Sequence, residues 1–255
     1  MASADQLSGR KVLITGANRG VGAALVEAAL ARQAGTVVAA ARNPGSVPQF
    51  SDPARVTQVR LDVTEPATIA AAAAAHPDVD LLVSNAAVTH HAPVLAEGDE
   101  PALQKLIDTN VFGPLRLARA FRGSLCRPGA GMVFVLSVTA VTVSRSSPVY
   151  GASKAACLSL ALALREELRE AGATVTVSLP GYIDTDMAAG FDSPKASPME
   201  VAERTLDGWL GGQPTVWPDR FARLVAGAVG EPFRRLLDEP RDALIPVHAA
   251  FAEGS

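Results

Sequence analysis

Lys11-Val12-Leu13-Ile14-Thr15-Gly16-Ala17-Asn18-Arg19-Gly20-Val21-Gly22 is a β-branched apolar run that ends in a glycine-rich turn. The run reads as a buried strand. Residues 21–33 after it carry Leu25, Val26, Ala29 and Leu30 at helical spacing, and Gly35 supplies a stop. Glycine between a strand and a helix lets the backbone turn sharply and approach a pyrophosphate, whose charge the amides of the helix N-terminus then hold. The spacing is Gly-x-x-x-Gly-x-Gly, not the more familiar Gly-x-Gly-x-x-Gly. A tight turn with no ligand is the competing reading, and the strand-to-helix context favours phosphate.

Working outward, apolar runs at 36–41, 55–62, 79–84, 131–137 and 174–179 read as further strands, with a short candidate at 215–217. Helical patterns lie between them: an alanine-rich stretch at 66–75, a long one at 99–122 interrupted by Asn110 and Gly113, and one beginning after Pro148. Ser197-Pro198-Met199-Glu200 is a capping box with proline at the first helical position, opening a helix to about 210. Strands alternating with helices, with no linker or break in composition, predict one α/β domain over 1–255. Its architecture is a doubly wound, Rossmann-like parallel sheet in three αβα layers.

The chain has 255 residues, long enough to bury a sizeable core, with 48% hydrophobic and 19% charged residues. A net charge of -3 gives no overall basic field, so a small molecule is a better partner than nucleic acid. Cys126 and Cys157 have no second Cys or His at metal-ligand spacing, and both read as packing residues of a reducing compartment. No metal is expected. The first ten residues lack a signal pattern and no apolar run reaches membrane-spanning length, so a cytoplasmic protein without membrane contact is expected.

Chemistry-bearing residues gather at the predicted strand ends. Arg42 follows the second strand where an acidic residue usually holds the adenosine ribose. With Arg19 it would suit a 2′-phosphate, favouring NADP(H) against the reading of two solvated arginines. Asp62-Val63 ends the third strand, either to meet a ligand or to cap the next helix; Asn85-Ala86-Ala87 ends the fourth with small residues. His90 and His91 read as rim residues. Asn110 either hydrogen-bonds the backbone of a bent helix or faces the site, or does both. Ser137 ends the fifth strand, and 13 residues later Tyr150-Gly151-Ala152-Ser153-Lys154 puts a phenol and an ammonium one helical turn apart. An ammonium so placed would lower the tyrosine pKa. From 155 to 164 that helix is apolar nearly all round, which predicts a second subunit on one face, a homodimer or homotetramer. Pro180-Gly181-Tyr182-Ile183-Asp184-Thr185 follows the sixth strand and leads into a segment, 188–210, that is a candidate substrate lid.

Taken together, Thr-Gly-x-x-x-Gly-x-Gly, Asn85-Ala86-Ala87, Asn110, Ser137, Tyr-x-x-x-Lys and Pro180-Gly181, in this order, resemble the short-chain dehydrogenase/reductase family over residues 8 to 210. The resemblance implies Tyr150 as acid/base, Ser137 as hydrogen-bond partner of the reacting oxygen, Lys154 as the group that lowers the Tyr150 pKa and holds the nicotinamide ribose, and Asn110 as holder of a relay water. It further implies that Gly16, Asn18, Arg19, Gly20 and Val21 line the phosphate and ribose site, with Asp62 and Val63 at the adenine. Asn85 and Ala86 would flank the adenosine-side ribose, and Pro180, Gly181, Ile183 and Thr185 would position the carboxamide. The implied activity is hydride transfer between NADP(H) and a small carbonyl or alcohol, by a ketoreductase or alcohol dehydrogenase. Two other readings stand beside it: a cofactor-binding sensor or scaffold without turnover, and a redox-neutral dehydratase or epimerase. Ala87 stands where glycine is common in the family, and the closing glycine-rich segment is not evident.

Overall fold

In the computed structural model, which describes residues 7–239, seven strands form one sheet in the order β3-β2-β1-β4-β5-β6-β7, every neighbouring pair parallel. The strands are β1 (Lys11–Thr15), β2 (Thr36–Ala41), β3 (Val56–Arg60), β4 (Leu81–Ser84), β5 (Gly131–Val135), β6 (Thr174–Ser178) and β7 (Thr215–Val216). The chain winds outward from β1 through β2 to β3, then crosses back to β4 and winds the other way. The switch point therefore lies between β1 and β4, where Leu13 is flanked by Val38 and Leu82. Ligands of open α/β sheets bind at such a point, outside the strand C-termini.

Alternation within each apolar run builds two core layers. Leu13, Val38, Leu82, Met132, Phe134 and Val177 face one side. There they meet α2 (Pro66–Ala75), α4 (Gly113–Ala120), α5 (Arg122–Leu125) and α6 (Pro148–Arg169) through Ile69, Leu117, Leu125 and Leu158. Val12, Ile14, Val37, Ala39, Val83 and Val133 face the other side, against α1 (Gly20–Ala31) and α7 (Pro198–Leu210) through Leu25, Leu30, Leu206 and Trp209. The three-layer expectation is met. An eighth long helix, α8 (Arg220–Asp238), is broken at Gly230, whose φ of 77° leaves helical space. Residues 240–255 of the C-terminal stretch lie outside the described residues.

Three sequence readings are corrected here. The third strand is shorter than 55–62, because Arg55 closes a 3₁₀ turn and spends its guanidinium on Asp52 (2.7 Å) and the Ala34 carbonyl (3.0 Å). The helix over 99–122 is α3 (Glu100–Ile107), a π-helical turn at Asp108–Phe112, then α4 and α5. The lid expected over 188–210 is too long. Its helical part is α7, whose Val201, Ala202 and Leu206 are fully buried against α1, with Ser197 Oγ capping the Glu200 N–H at 3.0 Å. What remains is a flap, 184–196, stapled at its base: the Ala196 N–H donates to the Tyr182 carbonyl and the Asp184 N–H to the Ala196 carbonyl, each at 2.9 Å.

At the far edge, Arg165 of α6 ties distant segments together. Its guanidinium donates to the carbonyls of Val175 (3.0 Å), Pro214 (2.6 Å) and Leu237.

Candidate active site

The switch point is cross-linked by two side chains. Thr15 Oγ1 accepts the N–H groups of Asn85 (3.0 Å) and Ala86 (3.1 Å), while Asn85 Nδ2 donates to the Thr15 carbonyl at 2.9 Å. Gly16 has φ +68°, and a Cβ there would meet the Ala86 backbone at 3.1 Å. A Cβ on Gly22 would lie 2.0 Å from the Gly16 carbonyl oxygen, so α1 can seat against β1 only with glycine. The first turn of α1 has no acidic residue and Arg19 gives no side-chain cap, which leaves its N–H groups free to hold an anion. Asn18, Gly20 and Val21 sit around that opening, and Thr185, at the root of the flap, lies 3.1 Å from a Cβ built on Gly20.

The two arginines are not brought together by contact with a common group. Arg19 pairs with Asp186 across the cleft at 2.5 Å, both side chains well exposed. Arg42 is exposed at the end of β2 and makes no ion pair among the described residues. Asp62 is not the cap of α2, whose N-cap is Glu65; its Oδ1 accepts the Thr64 N–H (2.9 Å) and hydroxyl (2.7 Å) in the turn before that helix. Val63 is 4% exposed and packs on Gly113, so its side chain is committed to the core and only its backbone can meet an adenine.

Ser137, Tyr150 and Lys154 converge. Ser137 caps a 3₁₀ turn after β5, its Oγ accepting the Thr139 N–H at 3.2 Å, and its hydroxyl lies beside the Tyr150 phenol at the cavity floor. Lys154 is 3% exposed, donates to the Val135 carbonyl at 3.1 Å and lies 5.6 Å from the Tyr150 ring centroid. The expected lowering of the Tyr150 pKa is corrected. Burial pushes the phenol up to about 12, opposed by the neighbouring Ser137 hydroxyl. Burial likewise brings Lys154 down to about 8, with the Cys157 thiol opposing, and pushes that thiol up to about 11. Close approach of α6 to the serine turn needs Gly151, where a Cβ would lie 3.2 Å from the Thr139 carbonyl.

Asn110 sits in the π turn, 1% exposed, with its amide fully committed. Oδ1 accepts the Val88 N–H and Nδ2 donates to the Val88 carbonyl, each at 2.9 Å, and Nδ2 also reaches Ser153 Oγ at 3.1 Å. Ser153 in turn donates to the Tyr150 carbonyl at 2.7 Å, so Asn110 locks the loop after β4 to the helix carrying the tyrosine.

Above Ser137 and Tyr150 opens a cavity of about 460 Å³. Pro180, Gly181, Ile183 and Thr185 line it with Leu136, Val138, Met187 and Ala188. Its other wall is aromatic, made of His91, Tyr182, Phe191 and Phe221. Sequence reasoning left His91 at the rim and gave no role to the other three. Phe191 and Phe221 carry no local pattern, since they reach the site from the flap and from α8. Asp219 was missed too, although an aspartate just before an amphipathic run is an N-cap signal. His90 pairs with Asp99 at 2.8 Å, away from any cluster of potential metal ligands among the described residues.

The short chain dehydrogenase family model matches residues 10–196. A 3-oxoacyl-[acyl-carrier-protein] reductase of Mycobacterium tuberculosis is 34% identical over 188 residues, covering 72% of this chain and 73% of that one. The corresponding Salmonella typhimurium reductase is 31% identical over 212 residues, 80% of this chain and 85% of its own. Among solved structures, a short chain dehydrogenase from Burkholderia cenocepacia in complex with NADP superposes with a TM-score of 0.83 at 34% identity, covering 91% of this chain and 97% of that one. An NADPH-bound carbonyl reductase from chicken fatty liver gives 0.69 at 25% identity, covering 79% and 91%. With its sheet order, its glycine loop, Ser137 and Tyr150 at one cavity floor and Lys154 packed against the tyrosine, the chain belongs to the short-chain dehydrogenase/reductase family.

Proposed function

We propose that this chain is an NADP(H)-dependent carbonyl reductase or alcohol dehydrogenase acting on a small substrate in the cavity above Ser137 and Tyr150. The observation that carries it is the placing of the Ser137 hydroxyl and the Tyr150 phenol together at the floor of the cavity, with a buried lysine against the tyrosine ring. The cofactor fits the residues present. Gly16, Asn18, Gly20 and Val21 leave an uncapped helix N-terminus for the pyrophosphate, and Arg42 makes no ion pair among the described residues. Arg19 would exchange Asp186 for the 2′-phosphate. Asp62 and Val63 would lie at the adenine, with the backbone of Asn85 and Ala86 by the ribose. Pro180, Gly181, Ile183 and Thr185 would hold the carboxamide. NADP-bound relatives support this choice.

When bound, the nicotinamide supplies or accepts a hydride at the carbonyl carbon. Ser137 and Tyr150 hold the carbonyl oxygen, and Tyr150 Oη gives it a proton. A phenol pushed up to about 12 is fully protonated at neutral pH, the state that reduction needs. Lys154, packed against the ring, would hold the nicotinamide ribose. Asn110, its amide spent on Val88 and Ser153, would hold a relay water through its backbone carbonyl.

Nicotinamide absorbance with a ketone panel tests the reading. Tyr150→Phe is expected to lower kcat by at least about 100-fold, and unchanged activity would reject the mechanism. Arg42→Asp is expected to shift preference toward NAD(H); an unchanged preference would remove the cofactor argument.

A homo-oligomer is part of the proposal, supported by the outer face of α6, where Ala152, Ala155, Ala156, Ser159 and Ala163 are exposed beside half-exposed Phe112. A cytoplasmic location is proposed as well, supported by the free thiols of Cys126 and Cys157. No helix among the described residues is long and apolar enough to cross a membrane.

A further inference from the structure

We propose that the cavity selects a neutral ketone carried on a flat ring, and that Phe191, Tyr182, Phe221 and His91 are the side chains that select it. This rests on the carbonyl-reductase reading above. The four rings come from separate segments: His91 from the loop after β4, Tyr182 from the stretch after β6, Phe191 from the flap and Phe221 from the N-terminus of α8. They nonetheless form one continuous wall. His91 meets Phe191 edge-on with centroids 5.5 Å apart at 65°, Phe191 meets Tyr182 at 5.3 Å, and Tyr182 meets Phe221 at 5.3 Å. His91 is held in place by Ser147, a buried hydroxyl 2.6 Å from Nδ1.

Ring walls hold a ring ligand by offset and edge contacts that a flexible alkyl chain cannot reproduce. The rest of the lining mixes apolar side chains with neutral hydroxyls, and its one charged side chain, Arg145, is exposed. A carboxylate or phosphate on the substrate would lie in this pocket without a buried counter-charge.

The test compares α-tetralone with methyl octyl ketone, which has the same number of carbons, and with an acetoacetyl-pantetheine thioester. Wild-type enzyme is expected to favour α-tetralone in kcat/KM by about tenfold or more. Phe191→Leu, which keeps apolar bulk and removes the ring, is expected to erase most of that preference while turnover of the linear ketone persists. Equal or reversed preference, a preference for the thioester, or a ratio unmoved by the substitution would overturn the proposal. Calorimetric titration of α-tetralol and of octanol into the NADP⁺-loaded protein separates this from the parent reading. Ring selectivity in binding without turnover would sink the reductase and keep the wall; turnover without ring selectivity would do the reverse.

A second inference has an independent basis. The geometry assigns Asp219 as a positioning residue for the nicotinamide end of the cofactor, acting through Gly181. Asp219 is 2% exposed, and no cation pairs with it among the described residues. Its Oδ1 caps α8 through the Ala222 N–H at 2.8 Å, and its Oδ2 accepts the Gly181 N–H at 2.7 Å. The Pro180 carbonyl accepts the Val138 N–H at 2.9 Å, so the Pro180–Gly181 peptide hangs between the Ser137 turn and this carboxylate.

Asp219→Ser keeps a capping hydroxyl but is too short to reach Gly181, whereas Asp219→Asn keeps the length. The expected result is that the Ser variant retains its Tm, binds NADPH about tenfold more weakly and binds 2′-phospho-ADP-ribose, which lacks the nicotinamide, as well as wild type does. The Asn variant should recover part of the NADPH affinity. Equal weakening of both ligands, or a change in Tm alone, would show Asp219 to be a helix cap only.

Discussion

Lys154 is a stability cost carried for function. Its pKa falls from 10.5 to about 8, so between those values the unfolded chain holds a proton that the folded chain has released. Stability therefore rises with pH through that window, and the full penalty, on the order of 3 kcal/mol, is present below about pH 8. Tyr150 acts in the opposite sense: its rise from 10.0 to about 12 makes stability fall as pH climbs between those values. Lys154→Met should raise the unfolding midpoint at pH 7 and flatten its climb toward pH 10 while abolishing turnover, which thermal melts and a nicotinamide assay would check. A lower midpoint at pH 7 would contradict the burial argument. The positions of Ser137, Tyr150 and Lys154 were legible because strand ends and one helical turn fix them. The direction of the tyrosine shift was not. Spacing reports that an ammonium is near, whereas burial depends on β5, the serine turn and the flap, which pack from far along the chain.

The Arg19–Asp186 pair joins the start of α1 to a 3₁₀ turn in the flap. A 2′-phosphate would compete with Asp186 for the same guanidinium. Asp186→Ala should tighten NADPH binding by about threefold, leave NADH binding unchanged, and lose its effect at high salt, since exposed pairs are weak and screened. Weaker NADPH binding in this variant, measured by fluorescence titration, would mean that Asp186 supports the site. The sequence put Arg19 in the glycine-rich turn and could not show its partner 167 residues away. The 188–210 segment failed differently. Its capping signal was plain, but only packing distinguishes a covering helix from a lid, and Val201, Ala202 and Leu206 face α1.

For the whole molecule, the exposed alanine face of α6 predicts association through small side chains that allow close helix approach. Sedimentation should give a dimer or tetramer, and Ala156→Arg should give a monomer; a wild-type monomer at working concentration would refute the interface. The doubly wound parallel sheet was legible in the alternation of strands and helices, though not its strand order. The partnership of α8 with the cavity was not, because nothing in 214–239 encodes which wall it will complete.

Arg165 gives that partnership a time course. Its guanidinium gathers carbonyls from residues 175, 214 and 237, so the lead into β7 and the end of α8 share one tether and are loosened together when it lets go. Parallel strands far apart in sequence assemble slowly. α8 is thus expected to dock late and open early, as one unit with β7. Amide exchange at Gly181 and Ala222 should share one rate, faster than that of β1, β4 and β5. A protease that cuts 217–220 in the opened state would remove the Phe221 side of the cavity and the Asp219 hold on Gly181 in a single event, so loss of activity should track cleavage one for one.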